Sequence, residues 1–323
     1  METSNSHRFC IAPMMDWTDR HERAFLRLFT KHAFMYTEML TSAALVHGDA
    51  PYLLAHKPLE HPVGVQLGGS NPVELAQAAR LAESAGYREI NLNIGCPSDR
   101  VQSGRFGACL MKEPSLVAEC VSAIKRQVDL PVTIKCRIGV DDQDSEVQLC
   151  RFINEVATAG CSLFVIHARV AILKGLSPRE NREVPPLKYD RVFAVKQRFP
   201  ELDIIINGGI RDLTEASDML QQVDGVMVGR EAYQNPFTLR NVDEFFFGAT
   251  PEIKTRLQYL SDYLPYVQEE LRIGTPLHHM TRHILGLFKG EHGGRNFRRH
   301  LSEFSNQPNA SINVLVDAMA LVN

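Results

Sequence analysis

Residues 203–230, DIIINGGIRDLTEASDMLQQVDGVMVGR, contain two short apolar runs on either side of a segment with helical spacing. The runs Asp203–Asn207 and Gly225–Val228 have the length and the β-branched content of buried strands. The segment Asp212–Gln221 has the apolar periodicity of an amphipathic helix. Because both strands are nearly all apolar, the segment predicts a parallel βαβ unit whose sheet is covered by the helix.

The same alternation extends back towards the N-terminus. Six further strands are predicted at Phe9–Met14, Phe34–Met39, Val63–Leu67, Glu89–Ile94, Val132–Arg137 and Leu163–His167. Helical segments between them include Pro72–Ala85, Ser115–Val128 and Ser145–Ala159. Eight βα units in one series close most naturally into a (β/α)₈ TIM barrel. An open doubly wound sheet is the alternative.

The pattern changes after Phe237. No strand is predicted from Val242 onwards, and helices are expected around Ile253–Leu271, Thr275–Leu287, Asn296–Ser305 and Ser311–Leu321. A chain of 323 residues exceeds what one core usually fills. We therefore predict a TIM-barrel catalytic domain over residues 1–243 and an all-helical domain over residues 244–323.

The composition is that of an ordinary globular protein, with 44% hydrophobic and 23% charged residues. Residues 1–8 lack the apolar centre of a signal peptide, and no apolar run has the length of a membrane span. The seven cysteines are odd in number and never form a Cys-x-x-Cys pair, which argues against disulfide, zinc-ribbon and cluster sites. We expect a cytoplasmic protein without a metal site, and no feature requires more than a monomer.

Basic residues are concentrated in two segments although the net charge is −3. Five basic residues and one acidic residue lie between Arg282 and His300, and six basic and three acidic residues lie between Arg169 and Arg191. Such segments are most often solvated faces. They are also the pattern expected of a nucleic-acid contact.

Polar residues or glycines end most of the predicted strands. In a TIM barrel the C-terminal strand ends form the active site, and a polar side chain beside an apolar run needs a reason to be there. The residues at these ends are Pro13-Met14, Gln66, Asn91 and Asn93, Lys135 and Arg137, His167 and Arg169, Asn207-Gly208-Gly209, and Gly229-Arg230.

The last two strand ends predict a phosphate site. Gly208, Gly209 and Gly229 let backbone N–H groups approach phosphate oxygens, and Arg230 can pair with the dianion. A phosphorylated cofactor is therefore indicated. If that cofactor is a flavin, Lys135 would be a cation beside the electron-rich end of its ring. The alternative is a lysine that only lies at the barrel rim. His167 could hold the phosphate or the ring edge.

Cys96 differs from the other cysteines in its position. It follows the fourth predicted strand in the turn Gly95-Cys96-Pro97, which projects into the mouth of the barrel. Cysteines within strands, such as Cys10 and Cys136, usually only pack. Because a thiol is mostly protonated at neutral pH, Cys96 is suited to act as an acid.

These residues together resemble the tRNA-dihydrouridine synthases. The motifs are Ala12-Pro13-Met14, Gln66-Leu67-Gly68-Gly69, Asn91-Leu92-Asn93-Ile94-Gly95-Cys96-Pro97, Gly104-Arg105-Phe106-Gly107-Ala108, Lys135-Cys136-Arg137-Ile138-Gly139, Ile166-His167-Ala168-Arg169, Asn207-Gly208-Gly209-Ile210 and Gly229-Arg230. Three further stretches resemble the A subfamily: Met14-Met15-Asp16-Trp17-Thr18-Asp19, residues 175–182 and residues 293–298.

The resemblance implies that a uridine in the tRNA D-loop, at positions 20 and 20a, is reduced to 5,6-dihydrouridine. NADPH would reduce FMN, the flavin N5 would deliver a hydride to C6, and Cys96 would protonate C5. The implied FMN contacts are Pro13, Met14, Met15, Gln66, Lys135, His167, Asn207, Gly208, Gly209, Gly229 and Arg230. The implied tRNA contacts are Asn93, Arg179, Arg182, Arg295 and Arg298. The target uridine would have to be flipped out of the folded tRNA.

Two other functions fit parts of the pattern. A small-molecule FMN reductase of the dihydropyrimidine or dihydroorotate dehydrogenase type would keep the flavin residues and a cysteine. It would not need the basic C-terminal segment or Arg179 and Arg182. A non-catalytic tRNA-binding protein on a barrel scaffold would lack the flavin.

Overall fold

The chain forms a closed barrel with helices around it. A computed structural model describes residues 6–322, with the exception of the Arg100 side chain. In this part of the chain, eight parallel strands pair in sequence order. They are β1 Phe9–Ile11, β2 Phe34–Thr41, β3 Val63–Gly68, β4 Ile90–Ile94, β5 Val132–Arg137, β6 Leu163–His167, β7 Asp203–Asn207 and β8 Gly225–Val228. Pairing of Phe9 with Val226 joins β1 to β8, which confirms the TIM barrel and excludes the open sheet.

Helices follow the strands and continue beyond the barrel. The helices up to β8 are α1 Arg20–Leu26, α2 Ser42–His47, α3 Ala50–Leu53, α4 Pro72–Ser84, α5 Asp99–Ser103, α6 Pro114–Lys125, α7 Glu146–Thr158, α8 Tyr189–Arg198 and α9 Leu213–Met219. Those after it are α10 Arg230–Gln234, α11 Val242–Phe247, α12 Arg256–Arg272, α13 Leu277–Thr281, α14 Gly294–Phe304 and α15 Ile312–Ala320. The predicted run of C-terminal helices is thereby confirmed.

The first strand is shorter than predicted. β1 ends at Ile11, and the chain then turns so that the N–H groups of Trp17 and Thr18 both donate to the carbonyl of Met14, at 3.1 and 2.9 Å. Asp16 within this turn has a φ of 63°. Pro13 and Met14 therefore lie in a loop at the mouth of the barrel and not in the sheet.

The barrel interior has an apolar half and a polar half. The apolar half comes from β1 with the residue after it, β2, β6, β7 and β8, through Cys10, Ala12, Phe34, Tyr36, Leu163, Val165, Ile205 and Met227. The polar half comes from β3 to β5, where Gln66, Asn91 and Thr133 are buried, with Glu89 directly before β4. Burial of so many polar groups requires that they bond one another.

The helix predicted over Thr275–Leu287 is wrong in its C-terminal half, since α13 ends at Thr281. The next two residues are held by the barrel: the side chains of Arg282 and His283 both bond the Asp19 carboxylate, at 2.7 and 3.0 Å. Further on, a Cβ added to Gly286 would lie 2.6 Å from the Gln234 carbonyl oxygen. These contacts draw the segment onto the barrel instead of letting the helix continue.

Helix α11 spans the predicted domain boundary at residue 243. Its Asp243 carboxylate accepts hydrogen bonds from the Thr30 hydroxyl and the Lys31 N–H, at 2.5 and 2.7 Å. The helix therefore packs on the barrel, and the division into two domains remains a prediction. None of the helices within residues 6–322 has the length and apolar composition that a membrane crossing requires.

Candidate active site

A cavity of about 600 Å³ opens at the C-terminal ends of the strands. Its volume lies in the range of pockets that bind cofactor-sized ligands. The predicted FMN residues all line it, namely Pro13, Met14, Met15, Gln66, Lys135, His167, Asn207, Gly208, Gly209, Gly229 and Arg230. Asn93, Cys96 and Arg182 line it as well. The fold therefore brings the residues predicted from the sequence to one place.

The glycine turn after β7 has backbone N–H groups without a protein partner in the described part of the chain. Gly208 and Gly209 have φ values of +117° and +76°, which side chains rarely adopt. A Cβ on Gly209 would lie 2.6 Å from the Leu187 side chain. Within residues 6–322, the backbone N–H groups of Gly208, Gly209 and Gly229 donate to no protein acceptor. Unpaired N–H groups around such a turn fit a phosphate.

Two neighbouring charges at this turn already have partners. The Asp212 carboxylate caps α9 by accepting from the N–H groups of Thr214 and Glu215, and these bonds lower the pKa of Asp212. The N-terminus of α9 is therefore occupied by the chain's own anion. Arg230 donates to the Glu183 carboxylate at 2.8 Å, so a bound phosphate would share this guanidinium with Glu183.

Lys135 and His167 are buried polar groups that face the same cavity. The Lys135 ammonium donates to Asn207 Oδ1 at 3.1 Å, and burial, helped by nearby Arg137, lowers its pKa to about 8. Burial and the cations of Arg137 and Lys135 lower the pKa of His167 well below its usual value. His167 is therefore neutral at physiological pH, and its buried Nδ1 has no partner within the described residues. A cofactor with polar edges would provide further hydrogen-bond partners for Lys135 and His167.

The Cys96 turn is fixed from two sides. The Asn93 side-chain oxygen accepts hydrogen bonds from the N–H groups of Gly95 and Cys96, at 3.1 and 2.9 Å. On the other side, the N–H of Ala108 donates to the Cys96 carbonyl at 2.9 Å. A Cβ on Gly107 would lie 2.6 Å from that same carbonyl oxygen, so only glycine fits there. The half-buried thiol is left facing the cavity, 3.5 Å from the Ser98 hydroxyl.

Arg137 is a polar strand end whose role the sequence does not reveal. Arg137 is 5% exposed and donates to the carbonyls of Gly95, Val170 and Asn181, at 3.0, 3.2 and 3.0 Å. Burial lowers its pKa to about 10. Arg137 thereby ties the Cys96 turn to the loop that carries Arg182. A charged residue at the end of an apolar strand was the available signal.

The predicted tRNA contacts are not all in one place. Arg182 lines the cavity, whereas Arg179 on the same loop is exposed beside Glu183 at 3.8 Å. Arg295 and Arg298 lie on α14, outside the cavity lining. Lys289, from the basic C-terminal segment, does line the cavity and was not selected from the sequence. The basic segment therefore reaches the mouth through Lys289.

A family model described as dihydrouridine synthase matches residues 10–323. The chain belongs to the dihydrouridine synthase family. It is 54% identical to the tRNA-dihydrouridine(20/20a) synthase of Vibrio cholerae serotype O1, over 99% of this chain and 98% of that protein. It is 56% identical to the protein of the same name from Escherichia coli strain K12, over 98% of this chain and 92% of that protein.

The barrel of this dihydrouridine synthase family member is also found in a solved structure of low sequence similarity. A 2-naphthoyl-CoA reductase in complex with 2-naphthoyl-CoA aligns with a TM-score of 0.57 and 12% identity. The alignment covers 73% of this chain and 50% of that one, so the chain spans about half the length of that reductase. This likeness concerns the fold alone.

Proposed function

We propose that this chain reduces the C5–C6 double bond of uridine in the tRNA D-loop, at positions 20 and 20a, to give 5,6-dihydrouridine. NADPH is the proposed reductant and FMN the bound cofactor. The observation that carries the proposal is the half-buried Cys96 thiol, which shares one cavity with Lys135, His167 and the Gly208-Gly209 turn. Family membership and the names of the relatives support it.

The residues present fit FMN. The free N–H groups of Gly208, Gly209 and Gly229 would hold the phosphate together with Arg230. Lys135, His167 and Asn207 would contact the polar edge of the ring, Gln66 its carbonyl edge, and Pro13, Met14 and Met15 would pack against it. When bound, FMN supplies the hydride that C6 of the uracil receives.

Cys96 supplies the proton. As C6 gains a hydride, the Sγ proton of Cys96 passes to C5, and the thiolate that remains takes a proton from solvent. The cations of Lys135, Arg137 and Arg182 are near enough to interact electrostatically with this sulfur. A thiol buried among apolar groups would have no such charges beside it.

The target uridine must leave its stack to reach the cavity. Arg182 and Lys289 lie at the opening, where they can bind the phosphates on either side of a flipped nucleotide. Arg179, Arg295 and Arg298 would hold the body of the tRNA through its backbone. We propose that the enzyme acts on tRNA in the cytoplasm, as a monomer.

Mass-spectrometric mapping of dihydrouridine in tRNA tests this proposal. A strain deleted for the gene would receive the wild-type chain, Cys96→Ala or Cys109→Ala. Cys109 is a second half-buried thiol close to the same loop and serves as the matched control. We expect dihydrouridine at positions 20 and 20a with the wild type and Cys109→Ala, and a loss of most of it with Cys96→Ala. Absence of the modification with the wild type would refute the function.

A further inference from the structure

A continuous chain of hydrogen bonds crosses the polar half of the barrel and begins at a buried carboxylate. Glu89 is 1% exposed, and its Oε1 accepts from the hydroxyls of Tyr36 and Thr133, at 2.8 and 2.6 Å. Its Oε2 lies 2.8 Å from Nε2 of His7. Because a carboxylate surrounded by donors can only accept, the Thr133 hydroxyl proton is committed to Glu89.

This commitment sets the direction of each following bond. With its proton used, Thr133 Oγ1 accepts from Asn91 Nδ2 at 2.8 Å. Asn91 Oδ1 then faces Gln66 and accepts from its Nε2, also at 2.8 Å. The Gln66 oxygen in turn accepts from Asn93 Nδ2 at 2.8 Å. Cross-strand pairing of Asn91 with both Gln66 and Thr133 places these three side chains in one layer of the barrel.

The chain ends at the Cys96 turn. The Asn93 oxygen accepts from two backbone N–H groups, those of Gly95 and Cys96. A carbonyl oxygen has two lone pairs, so this oxygen has none left for a ligand. The only hydrogen-bonding group that Asn93 can still offer to the cavity is its second N–H. Every donor in the chain therefore points from the catalytic turn towards Glu89.

We propose that Glu89, Thr133 and Asn91 are positioning residues that fix the amide orientation of Gln66 and Asn93, and thereby the Cys96 turn. None of the three lines the cavity. The inference rests on the proposed function, since the groups it orients are those assigned to the flavin and the uracil. It also restricts Asn93 to a base that presents a hydrogen-bond acceptor, such as a uracil carbonyl oxygen, and not an amino group.

The test compares Thr133→Val with Thr133→Ser. Valine has nearly the same shape but leaves Asn91 without an acceptor, whereas serine keeps the hydroxyl. Tyr36→Phe is the matched control, because it removes another donor to the same Glu89 oxygen outside the chain of amides. Purified holoenzyme would be reduced with NADPH and then mixed with tRNA that lacks dihydrouridine, so that flavin reduction and flavin reoxidation are timed separately.

We expect Thr133→Val to slow tRNA-dependent reoxidation by about tenfold or more, because small misplacements of reacting groups have effects of this size. Flavin content should stay within about twofold of the wild type, because the other flavin contacts remain, and reduction by NADPH should slow less than reoxidation, since it is affected only through the Gln66 amide. Both steps should stay within about twofold of the wild type in Thr133→Ser and Tyr36→Phe. Equal rates in Thr133→Val and Thr133→Ser, or equal losses in both half-reactions, would overturn the positioning role. Failure of wild-type flavin to be reoxidised by tRNA would instead overturn the proposed function.

A second variant covers the case in which Thr133→Val does not fold. In the double variant Thr133→Val with Asn91→Leu, both polar partners become apolar, which is often nearly neutral for stability. Gln66 still loses the acceptor that fixes its amide. Reoxidation by tRNA that is slowed more than reduction by NADPH is again the expected result, and wild-type reoxidation would contradict the proposal.

Discussion

Arg137 and Gly95 are joined by a hydrogen bond of 3.0 Å from the guanidinium Nε to the backbone carbonyl. The residue that follows Gly95 is Cys96, so the buried cation acts on the backbone of the catalytic turn. The same guanidinium reaches Asn181, which is fully buried and ties together the loop carrying Arg182. One side chain thus sets the distance between the proposed acid and the proposed RNA loop.

Replacement of Arg137 by lysine should separate charge from geometry. Lysine keeps the positive charge but cannot donate to three carbonyls in a plane. We expect Arg137→Lys to lose about 1–3 kcal/mol of unfolding free energy, since buried carbonyls lose their donors. Turnover on tRNA should fall at least about tenfold while NADPH oxidation by oxygen persists. Denaturant unfolding and both assays would be measured; unchanged tRNA turnover would contradict the assignment.

Gly209→Ala should release FMN. The substitution puts a side chain at a φ of +76° and a Cβ 2.6 Å from Leu187, at the turn assigned to the phosphate. Gly86→Ala is the matched control, because Gly86 also has a positive φ, +94°, with nothing within 4 Å of the added Cβ. Both variants should lose about 1–2 kcal/mol of stability. Only Gly209→Ala should lose flavin absorbance after dialysis; retention of FMN would argue against this phosphate site.

Lys135 should make the stability of the FMN-free protein depend on pH. Its pKa in the fold is about 8, below the usual 10.5, so between these values the unfolded lysine holds a proton that the folded one has lost. Unfolding then takes up a proton, and stability rises with pH across this window. The gain is roughly 3 kcal/mol at most. Urea unfolding of wild type and Lys135→Met from pH 7 to 11 would measure it; parallel curves would exclude the effect.

Arg295 and Arg298 on α14 should contribute to tRNA binding through contacts with phosphates. Arg295→Ala with Arg298→Ala should weaken tRNA binding and reduce the slope of log K against log salt by about one for each residue that contacts a phosphate. NADPH oxidation by oxygen should not change. Arg126→Ala, at the exposed C-terminal end of α6, is the control variant. Filter binding across a salt series would measure the affinity for tRNA and its salt dependence. An unaltered slope would show that α14 is not part of the RNA-binding surface.

The barrel could be predicted because its evidence is local. Runs such as Val132–Arg137 and Asp203–Asn207 are rich in β-branched residues, and their predicted bounds agree with β5 and β7. The site followed from the same pattern, since a barrel brings all its strand ends to one face. Cys96 could be recognised because a turn of Gly-Cys-Pro cannot continue a strand.

The rest depends on contacts between distant residues. No local pattern reveals that Arg282 and His283 bond Asp19, and so α13 was predicted too long. Nor does a strand pattern show that the Asn93 oxygen is already occupied, because its partners are backbone groups whose directions the fold determines. Lys289 was visible as a charge, but its place at the cavity mouth depends on how the C-terminal segment docks on the barrel.

Asp19 caps the first helix of the barrel and also receives Arg282, which lies 263 residues later in the chain. During synthesis, the first βα unit leaves the ribosome long before the residues that bond the second carboxylate oxygen of Asp19. A nascent chain therefore carries an unfinished first unit until nearly all of the protein has emerged. The N-terminal strand and helix are among the first parts made and among the last to reach their final set of partners.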